Sequence, residues 1–536
     1  MRGSLGARLK GTDAVVEQLG QTGGAQAQQG DGDEEPQESG APRQGRKNGL
    51  NLGTTEELEE NMRSGWADTE RDGLEPADQA PYAAKRRKAL SAAFPGERLV
   101  IPSGRLKMRS NDTEYPFRAS CDYVYLSGDQ SEESVLILEP NAEGGHTAAL
   151  YVLPRSSRAD GEFWLSGYGE LWTGRRNSLA EAAALLGLET RDSRQAAEQL
   201  AEVITGQPGV VTRILRGHDA ELDAVVVPQQ RPQSQAQRPG HEHEQDQDQE
   251  LDRDEELAVF LHGLRLVKDE WEIEQLRKAC ASTAAGFRDV VRELSQAVAT
   301  SERWIEGTFW RRARVEGNDV GYGSICAAGP HATTLHWVRN DGEVRPGELL
   351  LLDAGVETDT LYTADVTRTL PIDGEFGELQ RKIYQAVLDA QEAGIAAVKP
   401  GARFRDFHEA AQRVLAERLV EWGLLEGPAD RALELGLQRR YTLHGTGHML
   451  GLDVHDCASS RVEEHVDGEL VAGMVLTVEP GLYFQQDDLT VPEEYRGVGV
   501  RIEDDILVTA DGNENLSAAL PRTIADIERW MAELKA

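Results

Sequence analysis

Apolar residues recur at two different spacings along this chain, and the change of spacing marks its organisation. From ERLVIPSG onward, short apolar runs alternate with turn residues, as in CDYVYLSG, SVLILEP and TAALYVLP. Runs of this length bounded by Gly, Pro and Ser predict strands. SLAEAAALLGL repeats its apolar positions at helical spacing, and AELDAVVVP predicts a further strand. From about residue 264 the period lengthens. RLVKDEWEIEQLRKACASTAAGFRDVVREL predicts a long amphipathic helix, and GELQRKIYQAVLDAQEAGIAAV and FRDFHEAAQRVLAERLVEW predict two more. Strand-like stretches lie between and after them. The pattern gives an α/β (α+β) chain with a domain over residues 79–263 and a second over 264–536.

Composition bounds the rest. Residues 1–78 are rich in Gly, Gln, Glu and Asp without apolar periodicity, so ordering them would cost more entropy than burial returns. They predict a mostly disordered acidic extension. A second polar tract, near 229–256, interrupts the first domain, and its His241 and His243 read as solvated rather than metal-bound. The formal net charge of -36 disfavours phosphate backbones, which excludes nucleic acid as a partner held by charge. Four scattered cysteines without a CxxC pair fit a reducing compartment. No run approaches about 18 consecutive apolar residues, so no membrane span is expected. MRGSLGARLKGTDAVVEQLG lacks an apolar signal core, so a cytoplasmic protein is expected.

Candidate chemistry begins at LLLLDAGVETDTLYTADVTRTL, residues 349–370. A chain reversal centred on Asp359 sets Asp353 directly opposite Asp365, with Cβ atoms roughly 4.5–5.5 Å apart. Thr363, Asp365, Thr367 and Thr369 then share one face, with Ala364 and Val366 on the other. Two carboxylates held so close repel unless they share a proton or a cation. GMVLTVEPGLYF ends an apolar strand on Glu479, and GVGVRIEDDILV puts Arg501 and Glu503 on one strand face. Four acids set among strand-forming residues call for a common counter-charge. YTLHGTGHMLGLDVHDC adds His444, His448 and His455, while Gly445 and Gly447 oppose a zinc-peptidase helix there. His262 and His408 read as structural or exposed.

The ordered set LLLLDAG, TADVTRT, HGTGHMLGLDVHD, TVEPGLY and GVRIEDD resembles the pita-bread metallopeptidases, and among them the aminopeptidase P group. YPFRASCDYVYLSG and LWTGRRNS are similar to the creatinase/prolidase-like N-terminal domain of that group. The resemblance spans about residues 80–536. It implies an N-terminal domain followed by a pita-bread catalytic domain. It also implies five metal ligands, Asp353, Asp365, His448, Glu479 and Glu503, around two divalent ions, most often Mn2+. In that scheme Asp353 holds one ion, His448 and Glu479 the other, and Asp365 and Glu503 bridge.

The activity implied is release of the N-terminal residue from peptides with proline second, by attack of a hydroxide bridging the ions. Glu479 would relay the proton. His336 in TTLHWVRN and His455 would bind the carbonyl or oxyanion, His444 and Tyr483 would shape the proline pocket, and Arg501 would orient carboxylates. Asp122 and Trp172, possible contributions of an adjacent subunit, would lie near the substrate. A homo-oligomer, dimer or tetramer, is implied. A prolidase acting on Xaa-Pro dipeptides and a catalytically inactive pita-bread binding module are the alternatives.

Overall fold

The computed structural model describes residues 54–111, 113–159, 161–226 and 252–535. Residues 1–53 of the expected extension, and the polar tract through residue 251 with His241 and His243, lie outside the described residues. The remainder of the extension is placed. Thr55 caps a helix over Glu56–Arg63, Trp66 packs edge-on against Phe163, and the Arg71 guanidinium and backbone reach the buried Glu181. Composition alone does not foretell this order, because the partners come from much later in the chain.

The N-terminal half is built on a five-stranded sheet. Arg98–Pro102, Val135–Pro140 and His146–Val152 form its antiparallel centre, as their apolar runs predicted. Glu189–Asp192 and Thr212–Ile214 add parallel edges. Leu179–Leu186 is helical as expected, closed by a capping box between Ser178 and Glu181. Two expected strands are helices instead. Cys121–Ser127 forms a fully buried turn of helix ended by the left-handed Gly128, so its continuous apolar run reflects burial rather than strand alternation. Ala220–Val225 is helical because the Asp219 carboxylate accepts the Glu221 and Leu222 N–H groups and nucleates the first turn.

The C-terminal half opens with the expected long helix, Glu270–Ala299, started by a capping box between Asp269 and Glu272. Glu378–Ala397 and Phe404–Glu421 are the other two expected helices. Glu302–Glu316 is an additional one. Their apolar faces, with the C-terminal helix Ile524–Lys535, cover the sheets that hold the acids. One sheet orders Val366–Pro371, Leu349–Ala354 and Ile325–Ala328. Its register sets Asp353 opposite Thr367, not opposite Asp365. The reversal is centred nearer Thr360, where the Thr358 N–H bonds the Tyr362 carbonyl. Asp353 and Asp365 still share a face, because a shift by an even number of residues preserves it.

The other acids come from a second antiparallel pairing. Val475–Val478 pairs with Asp504–Val508, and Gly481–Phe484 with Val498–Arg501. Val478 faces Asp504 and Gly481 faces Arg501, so both ladders keep one register. The unpaired step between them sets Glu479 opposite Glu503. Pro480, which has no N–H to donate, lies in that gap.

Arg368 ties the two sheets together. Its five N–H groups bond Pro521, Thr367, Glu503 and Leu520 carbonyls and the Asp504 carboxylate, at 2.6–3.1 Å. Both partners of the ion pair are buried. Replacing Arg368 with Met takes the closer of two cations from the buried Asp504, which keeps Arg522 at 3.5 Å, and strands several carbonyls. It is expected to lower unfolding free energy by about 3–5 kcal/mol, read from denaturant midpoints.

Candidate metal centre

The two broken ladders empty onto one cavity of about 690 Å³. Asp353, Asp365, Glu479 and Glu503 line it with His336, His444, His448, His455 and Arg501. Ile325, Leu335, Val338 and Val454 supply an apolar wall. The ligand atoms of Asp365, His448 and Glu503 lie within 4.8 Å of one another.

Each side chain is aimed by its backbone. The His448 N–H bonds Thr477 Oγ1 and its carbonyl accepts the Thr477 N–H, which docks the glycine-rich loop on the Val475–Val478 strand. A Cβ on Gly447 would stand 2.0 Å from the Thr477 carbonyl oxygen, so only glycine permits that approach. The Glu479 N–H bonds the Thr446 carbonyl of the same loop. Glu503 accepts from the Thr367 hydroxyl at 2.6 Å, which links it to the Asp353 sheet.

The donor set suits divalent cations. His448 Nδ1 donates to the Met449 carbonyl at 3.0 Å, leaving Nε2 to face Asp365 Oδ2 at 3.4 Å and Glu479 Oε1 at 3.7 Å. Lone pairs aimed at carboxylates repel unless a proton or metal lies between. The Tyr322 hydroxyl stands 2.7 Å from Asp353 Oδ1 and 2.6 Å from Asp365 Oδ1, with one hydrogen for two acceptors. Among the described residues, Arg501 is the one Arg or Lys paired with the four acids; it bonds Asp353 at 2.5 Å. Asp505, whose carboxylate accepts the Asp365 N–H, keeps a buried oxygen without a hydrogen-bond partner. Four carboxylates and one imidazole form a hard, oxygen-rich set.

The electrostatics record the same deficit. Burial, reinforced by Asp365 and Glu479, pushes the Glu503 carboxyl well above its usual range. Burial raises Asp353 against the pull of Arg501. Burial also raises Glu479 to about 7, against His448 and Arg501. Burial disfavours the His448 cation, but Asp365 and Glu479 outweigh it and raise the imidazole to about 9. His444 moves the other way, to about 4, under burial and the Arg501 charge. Its Nε2 accepts from the Tyr483 hydroxyl, which in turn accepts from Arg501.

His336 and His455 are exposed on the cavity wall, His455 edge-on to His448 with centroids 4.3 Å apart. Asp122 and Trp172 do not line this cavity. Asp122 is buried against Arg265 at 2.9 Å, and Trp172 is 68% exposed on the N-terminal half. Tyr322 and Thr367 contact the acids but were not among the residues expected from sequence. Thr367 was legible as a neighbour on the polar face; Tyr322 carried no signal, since it lies outside the hairpin.

Comparison with known proteins identifies the family. Residues 274–510 match the model of metallopeptidase family M24, and residues 83–211 match the aminopeptidase P N-terminal domain. Xaa-Pro aminopeptidase 1 of Streptomyces coelicolor is 66% identical over 502 residues, 94% of this chain and 97% of that protein.

The chain belongs to metallopeptidase family M24.

The Escherichia coli Xaa-Pro aminopeptidase is 32% identical over 83% of this chain and 96% of its own. Aminopeptidase P from E. coli, solved with the inhibitor Pro-Leu, superposes with a TM-score of 0.72 at 30% identity, covering 86% of this chain and 99% of that one. Pseudomonas aeruginosa aminopeptidase PepP gives 0.71 at 31%, over 86% of this chain and 100% of that one. The expected architecture, a creatinase/prolidase-like N-terminal domain followed by a pita-bread domain, is therefore correct.

The raised carboxyl and imidazole give the metal-free protein a definite pH response. Folded Glu479 and His448 bind protons more tightly than the unfolded chain, so folding takes up protons and stability falls as pH rises. The Glu479 contribution is lost from its unfolded value of about 4.3 up to its folded value, and that of His448 from about 6.5 up to its own. In chelator, Tm should drop between about pH 7 and pH 9, above the range in which the lowered His444 opposes the trend, and Mn2+ should restore it by replacing the protons. Scanning calorimetry with and without the ion reads this; a Tm that climbs with pH in chelator contradicts it.

Proposed function

We propose that this chain is a metal-dependent aminopeptidase that releases the N-terminal residue from peptides with proline at the second position. The observation that carries the reading is the convergence of Asp353, Asp365, His448, Glu479 and Glu503 on one cavity floor with too little positive charge of their own. The names and near full-length coverage of the Streptomyces relatives support the proline specificity. The two family matches support a division near residue 264.

These five side chains would hold two divalent ions, with manganese favoured by the oxygen-rich donors. Such ions supply Lewis acidity toward a peptide carbonyl and acidify water. The chain supplies the rest. Glu479 takes the proton of the attacking water and returns it to the proline nitrogen. His336 and His455 present ring N–H groups to the carbonyl oxygen as it gains charge. Neutral His444, fixed by Tyr483, borders the proline ring together with the apolar wall. Arg501 stays bonded to Asp353 and Tyr483, so its role is to hold the carboxylate and the pocket in register.

Trp172 fits this scheme only as a residue offered by a neighbouring copy, so a homo-oligomer belongs to the reading, whereas Asp122 is buried against Arg265 within its own chain. All four cysteines are free and buried, which fits the cytoplasm. No helix among the described residues is long and apolar enough to cross a membrane.

After chelation and Mn2+ add-back, the protein should cleave a Xaa-Pro-Xaa tripeptide and leave its non-proline counterpart intact. Cleavage confined to Xaa-Pro dipeptides would make it a prolidase; two bound ions without cleavage would make it a binding module. Glu479→Gln should lower kcat by about 10²–10⁴-fold with the far-ultraviolet circular dichroism unchanged.

A further inference from the structure

His336 sits on a segment with little regular structure of its own. A short 3-10 turn over Gly329–Thr333 follows the Ile325–Ala328 strand, and the chain then runs irregularly to Leu349. This loop contributes Leu335, His336 and Val338 to the cavity. Irregular backbone needs partners to hold a single pose, and here one buried carboxylate supplies most of them.

Glu302, fully buried at the start of the Glu302–Glu316 helix, accepts four hydrogen bonds from this stretch. Oε1 takes the Ala328 N–H and His331 Nδ1, each at 2.8 Å. Oε2 takes the Trp337 indole N–H at 2.8 Å and the Gly342 N–H at 2.7 Å. The Glu302 N–H closes the ring onto the Gly342 carbonyl. The His331 and Trp337 rings stack 3.8 Å apart, so both donors are locked by one contact. A Cβ on Gly342 would stand 2.2 Å from the His331 ring, so the clamp leaves room only for glycine there.

No Lys or Arg pairs with Glu302 among the described residues. A buried anion held almost wholly by neutral donors is costly as a stabilising device, and apolar groups replacing both it and its side-chain donors would serve stability as well. It makes sense as a device for geometry. Trp337 is drawn inward onto Glu302, and its flanking neighbours His336 and Val338 are thereby turned toward the cavity. Asn340, in the left-handed region at φ +48, fixes the far side by bonding the Cys326 N–H and the Ser324 carbonyl.

We propose that Glu302 is a positioning residue for the peptidase reaction. It holds the 329–342 loop so that His336 meets the developing oxyanion, and it acts through His336 rather than on substrate. The proposal rests on the aminopeptidase reading for its kinetic consequence, but the clamp itself does not. Glu302→Gln keeps the size yet turns an N–H₂ group toward donors, so two of the four bonds are lost. Glu302→Asp keeps all four lone pairs on a shorter stem.

The test is a double-mutant cycle on the Mn2+-loaded full chain with a Xaa-Pro-Xaa tripeptide. Glu302→Gln should lower kcat by about 10–100-fold, the scale of a roughly 1 Å misplacement, with KM changed less than about 3-fold. Glu302→Asp should recover part of that loss. In a His336→Ala background the Glu302→Gln effect should vanish, because the group it positions is gone. Equal kcat losses in both backgrounds, or no loss in either, overturn the proposal. Amide exchange at Ala328 and Gly342 gives a readout independent of turnover. It should quicken in Glu302→Gln while exchange in the Leu349–Ala354 strand holds; unchanged exchange at Ala328 and Gly342 overturns the clamp. Were Glu302→Gln too unstable to purify, Glu302→Asp against wild type in the same cycle decides the matter. A wild-type protein that cleaves no Xaa-Pro peptide sinks the assigned activity, and exchange alone then decides the clamp.

Discussion

The C-terminal half depends on keeping like charges together. Glu479 and Glu503 face each other where an antiparallel pairing opens, and Asp353 and Asp365 approach from a second sheet. Left to themselves these carboxylates would pull protons from water or push the strands apart. The backbone prevents the second outcome. The pairing resumes in the same register on both sides of the gap, so the opening is local. Arg368 bonds the Thr367 and Glu503 carbonyls, fixing one sheet to the other directly beneath the acids. The protein thus spends rigid structure to maintain an arrangement that only a proton or a cation relieves.

That arrangement was legible in part. Parity arguments placed Asp353 and Asp365 on one face, and that survives because both the assumed and the observed register keep odd positions together. Their direct opposition did not survive, since the turn is centred nearer Thr360 than Asp359 and sets Asp353 against Thr367. The facing pair is Glu479 with Glu503, which sequence inspection treated separately. Their strands are joined by an irregular stretch, and nothing local fixes a register across it. The helices Cys121–Ser127 and Ala220–Val225 were misread for a related reason. A short buried run looks alike as helix or strand, and the deciding features, a left-handed glycine and an aspartate cap, are single residues at the edge. The long amphipathic helices were read correctly because many positions vote together.

The walls of the cavity were harder to read than its floor. The clustered acids and His448 stand on or next to strand ends or on a loop pinned to a strand, where period and parity speak. His336, His455 and, Ile325 apart, the apolar wall stand on irregular loops whose conformation is decided by distant partners. The 329–342 loop answers to Glu302 and Asn340. The loop bearing Val454 and His455 answers to the N-terminal half: Arg118 bonds the Leu452 carbonyl, and Cys121 bonds Asp453.

The distribution of cations completes the argument. Around Asp453 and Asp456 the chain has gathered Arg265 and Lys268, with Arg118 bonding Glu357 nearby. Despite burial, Arg265 and Lys268 hold the Asp456 carboxyl below its usual range. The junction acids are thus neutralised from within. A few residues along the same chain, the acids around His448 have Arg501 as their one Arg or Lys partner among the described residues, and the Glu479 and Glu503 carboxyls rise instead. A chain able to supply cations to one buried acid cluster withholds them from the next. Selection for stability alone would treat both alike. The contrast fits a counter-charge that arrives from solution at the second cluster, as the proposed function requires, and not at the first.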